Sequence, residues 1–265
     1  MTLILLTAQD LAVAALLILL LAGLSFKFQI AVERPLLVAA VRTVVQLLLV
    51  GMVLKSIFAM AHWYWILLIV MVMLLVAGYE IMGRQQRRFT GLWGFGLGAF
   101  SMFVSSFSVT LLVLFAVIGP DPWYEPQYMI PLFGMMFGNT MNGIALGLDR
   151  LTAQAWQQRQ VIESRLVLGE TWQQAIKDIR SDSIRTGMMP IINGMATAGL
   201  VSLPGMMTGQ ILGGVPPFEA VKYQILIMFM VTAGTGFGTF AAIIIGSRHL
   251  FDERERLRLD RLSGS

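Results

Sequence analysis

Side chains able to carry out bond chemistry are scarce in this chain. It has no cysteine, so disulfides and thiolate metal sites are excluded. Its two histidines, His62 and His249, are too few for a histidine-rich metal site unless subunits share them. No nucleophile lies beside a general base, and we predict no enzymatic activity and no cofactor bound by this chain. Its 18 methionines offer thioethers, which suit Cu(I) better than iron. Met206 and Met207 are therefore candidate metal ligands, although packing is the commoner role of methionine.

The segment 149–187 carries the clearest functional pattern, a glutamate followed six positions later by a glycine. Residues 163–169 read ESRLVLG, and the polar run before them favours a helix that Gly169 ends. Glu163 is solvated, caps the turn or accepts a hydrogen bond from a partner's arginine. The next helix carries apolar residues on one face, at i, i+4 and i+7: Trp172, Ile176 and Ile179. This face is buried in lipid or in its own chain, or it docks in a groove on a partner.

A second group of candidates consists of polar residues inside apolar stretches. Arg42 is followed by Gln46 at i+4, so the two share a helix face. An arginine within a membrane span costs about 2.5–3.5 kcal/mol on insertion scales, which favours a position facing protein or water. Arg42 either lines a transport pathway with Gln46 or extends from the cytoplasmic end of its span to the lipid headgroups.

Amides and hydroxyls recur at helical spacing further along the chain. The pairs are Asn139 with Asn142, at i and i+3, and Asn193 with Thr197, at i and i+4. Buried amides can join helices through hydrogen bonds worth about 0.6 kcal/mol on average. They can also line a solvated channel, and the residues alone leave both roles open.

The elements that carry these residues are predicted to be membrane helices. The chain has 265 residues, of which 57% are hydrophobic and 13% charged, about half the charged fraction of a soluble protein. Several windows reach about 20 apolar residues, enough to cross a hydrocarbon core of about 30 Å. We predict an all-α polytopic membrane protein with seven spans, at residues 7–26, 35–57, 62–83, 91–118, 128–148, 187–203 and 221–246.

The basic residues predict the orientation of these spans. With seven spans, 16 of the 19 lysines and arginines fall on one side of the bilayer. The positive-inside rule makes that side cytoplasmic, so the N-terminus is predicted outside and the C-terminus in the cytoplasm. The net charge of +4 reflects this topology and does not predict binding to nucleic acid.

Two segments do not read as regular spans. Residues 204–220 are too rich in glycine and proline for a spanning helix, and we predict either a re-entrant segment or a compact outer turn. We predict a single permease domain over 1–250, with 149–187 as its cytoplasmic loop. The charged segment 247–265, which includes the tail 251–265, is predicted to be a frayed helix or disordered.

The pattern at 163–169 resembles the EAA loop of ABC importer permeases. Ile179 lies ten residues after the glycine as in that loop, whereas the closing Leu-Pro is absent at 181–182. The chain more closely resembles the FetB (YbbM) permease family, the membrane half of a bacterial iron-exporting ABC transporter. The segments that carry this second resemblance are RTVVQLLLVGMVLK at 42–55, GNTM at 138–141, DSIR at 182–185, GLVSLPGMMTGQ at 199–210 and KYQI at 222–225.

The resemblance implies a permease subunit that exports iron, another metal ion or a metal complex across the bacterial inner membrane. It implies a separate ATPase subunit, which binds ATP and Mg²⁺, and two copies of each chain. Glu163, Gly169 and the helix after Gly169 would couple the two subunits. The residues alone leave an alternative open, a secondary transporter or channel that works without a partner. The lack of acidic residues at the centres of the spans counts against that alternative.

Overall fold

The computed structural model describes residues 7–60 and 62–263, and most of them are helical. Within these ranges the chain forms ten α-helices and two short strands, which we number in chain order. They are α1 (Ala8–Lys27), α2 (Glu33–Met60), α3 (Trp63–Gly83), β1 (Arg88–Phe89), α4 (Gly91–Val113), α5 (Pro126–Gln157), α6 (Arg159–Val167), α7 (Trp172–Ala175), α8 (Lys177–Thr197), α9 (Gly205–Leu212), α10 (Pro217–His249) and β2 (Leu262–Ser263).

Five helices in the described part of the chain are long and apolar enough to cross a membrane: α1, α2, α3, α4 with its π-helical end at Leu114–Ile118, and α10. They correspond to five of the seven predicted spans, and the prediction of an all-α membrane protein is confirmed. The other two predicted spans fall on α5 and α8, which carry amides, charges and glycines and are less apolar. The seven-span count and the orientation of the termini stay predictions.

Two compact units make up the described residues. The first consists of α1 and α2 with the short segment Leu212–Gly214. A capping box opens α1, because Asp10 N–H donates to the Thr7 hydroxyl and Thr7 N–H donates to the Asp10 carboxylate. Between the helices, the Ser25 hydroxyl donates to the Glu33 carboxylate at 2.8 Å. This bond joins the end of α1 to the start of α2.

The second unit is a bundle in which α5 packs against α3, α4, α8 and α10. Large side chains of α5 are almost fully buried there, among them Phe133, Met136 and Ile144. Glycines set the closest approach between helices. A Cβ added to Gly187 of α8 would lie 2.5 Å from the carbonyl oxygen of Gly143 on α5 and 2.8 Å from Thr239 Cγ2 on α10. Three helices therefore meet at a point where no side chain fits.

The structure corrects the boundary predicted at residue 187. A cytoplasmic helix was predicted to end there and a span to begin, but α8 is continuous from Lys177 to Thr197. Gly187 lies inside this helix because it fits the contact with α5, where a larger residue would not. The helix also ends earlier than the predicted 203, since Ala198 is extended and Gly199 adopts a φ of +84°.

The segment predicted as re-entrant or as an outer turn contains one short helix. Pro204 precedes this helix, α9, and Pro216 precedes α10, which begins at Pro217. The position of this segment relative to the bilayer stays a prediction.

The tail is folded, contrary to the prediction of a frayed or disordered segment. β2 pairs antiparallel with β1, with Arg88 opposite Ser263 and Phe89 opposite Leu262. Between α10 and β2, Phe251 and Leu257 form an isolated antiparallel bridge. The tail was misread because its many charges favour solvent, whereas its fold depends on a partner strand about 170 residues earlier in the chain. Its last two residues, 264–265, lie outside the described part.

Candidate functional site

The loop between α5 and α8 is compact, and Gly169 makes its sharpest turn. As predicted, the helix before it ends, at Val167. Gly169 has a φ of +92°, a conformation that L-residues rarely adopt. Its N–H donates to Leu166 O at 3.0 Å, and the Glu170 N–H donates to Arg165 O at 3.1 Å. These two bonds cap the last carbonyls of α6.

The tip of this turn is exposed. Val167 is 87% and Leu168 83% exposed, and Glu163 projects from α6 into solvent. Neither Glu163 nor Glu170 has an ion-pair partner among the described residues. The turn therefore presents two adjacent apolar side chains beside two unneutralised carboxylates, a composition suited to contact with another molecule.

The apolar face after Gly169 is buried inside the chain itself. Ile176 is 0% and Ile179 4% exposed. These two residues are therefore buried within their own chain and do not dock in a groove on a partner. They lie at the junction of α7 and α8 and cannot present their side chains to a partner without unpacking. Any role for them in coupling is to hold the loop on α8, and that role stays a prediction.

Trp172 is held by the tail. Its ring lies 5.7 Å from the Phe251 ring, and the Arg248 guanidinium stands 5.3 Å from the centre of the indole. The backbone N–H of Trp172 donates to the Glu255 carboxylate at 3.0 Å. These contacts join the start of α7 to residues just after α10.

Polar contacts join α8 to both α5 and the loop. The Arg150 guanidinium and the Gln154 amide of α5 both donate to the Asp182 carboxylate of α8 at 2.8 Å. From the loop, the Arg165 guanidinium of α6 donates to Asp178 at 3.1 Å. A displacement of the loop would therefore be felt by α8.

The Asp252 carboxylate accepts several hydrogen bonds from nearby residues of the tail. It accepts the backbone N–H groups of Arg254 and Arg256, each at 2.9 Å, and the Arg256 guanidinium at 2.8 Å. The backbone hydrogen bond from Arg256, together with the other two donors, lowers the pKa of Asp252 from 3.8 to about 2.

This lowered pKa predicts how the tail responds to acid. A depressed carboxylate pKa stabilises the fold above the ordinary value of 3.8, and the stabilisation is lost as pH falls toward 2. We expect tail residues 250–258 to resist pepsin at pH 4 and to become cleavable near pH 2. Asp252→Asn should already be cleaved there at pH 4. Equal resistance of the variant and the natural chain at pH 4 would contradict this role.

The amides predicted to lie on a pathway are found on exposed faces of α5 and α8. Asn139 and Asn142 on α5 and Asn193 on α8 are exposed, and Thr197 is half-buried. The contacts of Gly143 with Gly187 and of Gly147 with the carbonyl of Ser183 make the two helices antiparallel. In this register Asn193 lies within one turn of the level of Asn139.

Hydrogen bonds within the chain occupy some, but not all, of the polar groups on this amide surface. The Arg84 guanidinium donates to the Asn142 side chain and forms an i, i+4 ion pair with Glu80 at 3.9 Å. The Asn139 amide donates to Met135 O at 2.8 Å, so its carbonyl oxygen stays exposed. The Thr197 hydroxyl donates to Asn193 O at 2.9 Å within its own helix. Exposed amides would be poorly placed against lipid, and this face is better suited to water or protein.

The remaining candidates do not join this surface in any way that the structure describes. Arg42 and Gln46 are both exposed on α2 of the first unit, on one helix face as predicted. Met207 is buried beside a 420 Å³ cavity that Met195, Met228 and Gln224 also line, whereas Met206 is half-buried and does not line it. No group of three or more His, Asp or Glu residues that could hold a metal ion occurs in the part of the chain that the structure describes.

Comparison with known proteins places the chain in a family. Residues 8–251 match the family described as "Uncharacterised protein family (UPF0014)". The chain belongs to the UPF0014 family. Membership covers the whole bundle, the loop and the start of the tail, so the geometry described above is that of a UPF0014 membrane protein.

Three relatives indicate the breadth of UPF0014. The chain is 39% identical to "UPF0014 membrane protein slr1647" of Synechocystis over 226 residues, 84% of this chain and 85% of the relative. It is 32% identical to "Probable iron export permease protein FetB" of Escherichia coli over 256 residues, 97% and 96% of the two chains. It is 35% identical to "Protein ALUMINUM SENSITIVE 3" of Arabidopsis thaliana over 224 residues, 84% and 80%. No solved structure matches the chain significantly.

The sequence analysis did not predict that the tail packs beside the loop. Residues 163–170 and 254–257 together line an open groove of 700 Å³: Glu163, Leu166, Val167, Gly169, Glu170, Arg254, Glu255, Arg256 and Leu257. One signal was available, because Phe251, Leu257 and Leu262 are apolar residues within an otherwise charged tail. All three are buried or half-buried in the structure.

Proposed function

We propose that this chain is the permease subunit of an ABC transporter that exports iron, another metal ion or a metal complex. The observation that carries the proposal is the 32% identity to the probable iron export permease FetB over 97% of this chain. Identity of this extent includes every candidate helix and the loop, and it is not confined to apolar spans. The bacterial inner membrane is the location that the proposal implies.

A separate ATPase subunit supplies the energy in this proposal. The sequence holds no G-x4-G-K-[ST] phosphate loop, so another chain must bind ATP and Mg²⁺ in that way. The exposed turn with Val167, Leu168 and Glu163 supports a docking role for the loop. Two permease copies and two ATPase copies form the transporter that we propose.

The pathway runs along the exposed amide face of α5 and α8. Because exposed amides are unfavourable against lipid, we infer that a second copy of the chain faces them and encloses a polar cavity. Amide and carbonyl oxygens suit a hydrated or chelated metal better than a bare soft ion. Arg42 and Gln46 on α2 belong to the same proposal as further pathway residues.

Replacing the amides tests the pathway. Asn139→Leu and Asn193→Leu should each lower metal export at least tenfold, because each removes an exposed oxygen without adding bulk to the core. Flux would be measured in proteoliposomes that contain both subunits, with Fe²⁺ as the probe. Leu146→Met changes an exposed apolar residue of the same helix and should leave flux unchanged. Normal export by both leucine variants would place the pathway elsewhere.

Purification from native membranes in mild detergent tests the assignment itself. We expect an ATPase subunit with a phosphate loop to co-purify in equal amount, and its hydrolysis in proteoliposomes to rise when Fe²⁺ is added. A chain that is recovered alone, even after crosslinking, would instead favour a secondary transporter or channel.

A further inference from the structure

We propose that the C-terminal tail forms one wall of the docking site for the ATPase subunit. The other wall is the turn at residues 163–170, and the partner element enters the groove between the two walls. This inference rests on the proposed function, and it adds a part of the chain that the loop motif does not include.

The tail is fixed at both of its ends, so it can serve as a wall. It follows directly from α10, and β2 pairs with β1 at its far end. Arg261 reinforces the closure, since its guanidinium donates to the carbonyls of His249 at 2.7 Å and Phe251 at 3.4 Å. Thr90 N–H donates to Arg261 O at 2.9 Å. A segment held in this way can resist a load applied at its middle.

The middle of the tail is held directly against the loop. Glu255 has a φ of +59°, an unusual conformation for a residue with a side chain. Its carboxylate accepts the Trp172 N–H, three residues after Gly169. Glu255 lines the groove from the tail side, and its bond to Trp172 connects it to the segment that follows the loop wall. The hydrogen bond therefore fixes the width of the groove.

The charges of the two walls indicate what the groove accepts. The loop wall carries Glu163 and Glu170, which have no ion-pair partner among the described residues, with Leu166 and Val167 between them. On the tail wall, Arg256 is neutralised by Asp252 at 2.7 Å, while the Arg254 guanidinium forms no ion pair in that part of the chain. The complementary element has a basic side chain toward the loop, an acidic one toward Arg254 and an apolar residue between them.

A protein segment meets these requirements better than a lipid surface. Two carboxylates without partners repel the anionic headgroups of the cytoplasmic leaflet, and the predicted orientation puts the groove on the cytoplasmic side. The occupant of the groove is an exposed element of the ATPase subunit that carries both charges in one segment.

Charge reversal on each wall tests the proposal. We expect Arg254→Glu and Glu163→Lys each to reduce the ATPase recovered with the detergent-purified chain at least tenfold. Glu253→Lys is the matched control, because Glu253 is exposed and adjacent to Arg254 but does not line the groove. It should recover the ATPase as the natural chain does. Chymotrypsin resistance of the tail, whose apolar cleavage sites are the same in every variant, confirms that the walls remain folded.

The outcomes separate the two proposals. If the natural chain recovers no ATPase, the proposed function is wrong. If the natural chain recovers it and both reversed variants recover equal amounts, the groove is not the docking site. The absence of cysteine allows a direct check with Arg254→Cys and a maleimide-linked photocrosslinker. A crosslink to the ATPase supports the proposal, whereas a crosslink only to a second copy of this chain overturns it.

Discussion

Gly187→Val is expected to destabilise the second unit by about 3 kcal/mol, the upper end of the usual cost of overpacking. A Cβ at this position would lie 2.5 Å from the backbone carbonyl oxygen of Gly143 and 2.8 Å from Thr239 Cγ2. The first of these atoms belongs to a helix backbone and cannot rotate away, so α5 and α8 would have to separate. The midpoint of thermal unfolding in detergent would show the loss.

Gly194→Val is the control for this prediction. Gly194 lies on the same helix seven residues later, and a Cβ there would meet nothing within 4 Å. The change in intrinsic helix propensity is the same for both variants, so the difference between them isolates the contact with α5. Equal unfolding midpoints would show that the helices do not cross at Gly187.

Gly169→Pro is expected to abolish the coupling of ATP hydrolysis to transport while the membrane helices stay folded. Proline cannot adopt the φ of +92° found here, and it removes the N–H that donates to Leu166 O. The turn would reopen and displace α7 relative to α6, which would distort the groove. We expect metal-stimulated ATPase activity of the two-subunit complex to fall at least tenfold.

A pair of alanine variants separates local strain from the role of the loop. Gly169→Ala and Gly214→Ala both place a side chain at a positive φ, +92° and +93°, with open space around it. The strain is of order 1–3 kcal/mol in each. We expect only Gly169→Ala to reduce coupling. A loss of the same size in both variants would trace the effect to general instability.

Features set by local chemistry were predictable from the sequence. The capping box of Thr7 and Asp10, the helix end before Gly169 and the pairing of Glu80 with Arg84 each depend on residues a few positions apart. The apolar runs placed five spans correctly because lipid imposes the same requirement on each span separately. The spacing of the amides placed them on two helices whose exposed faces carry them.

Features set by distant contacts were not predictable. A helix boundary was predicted at Gly187, and glycine usually weakens a helix. Only the contact of Gly187 with Gly143 explains why α8 continues through this position. The tail was misread for a similar reason, since its β-strand partner lies at Arg88–Phe89. Periodicity put Ile176 and Ile179 on one face of a single helix, whereas the structure has α7 end at Ala175 and α8 begin at Lys177. Periodicity also could not show that their own chain covers these two residues.

The continuity of α8 has a mechanical consequence. The helix has 21 residues, about 30 Å at 1.5 Å per residue. Gly187, where α8 crosses α5, lies ten residues from each end. Pro190 removes one backbone hydrogen bond from α8 without interrupting the helix, and a continuous helix that tilts about its midpoint moves its two ends in opposite directions. A push on the loop at Lys177 would therefore swing Asn193 and Thr197 the other way, and a small inward displacement at the Lys177 end would become an outward displacement beside the amides.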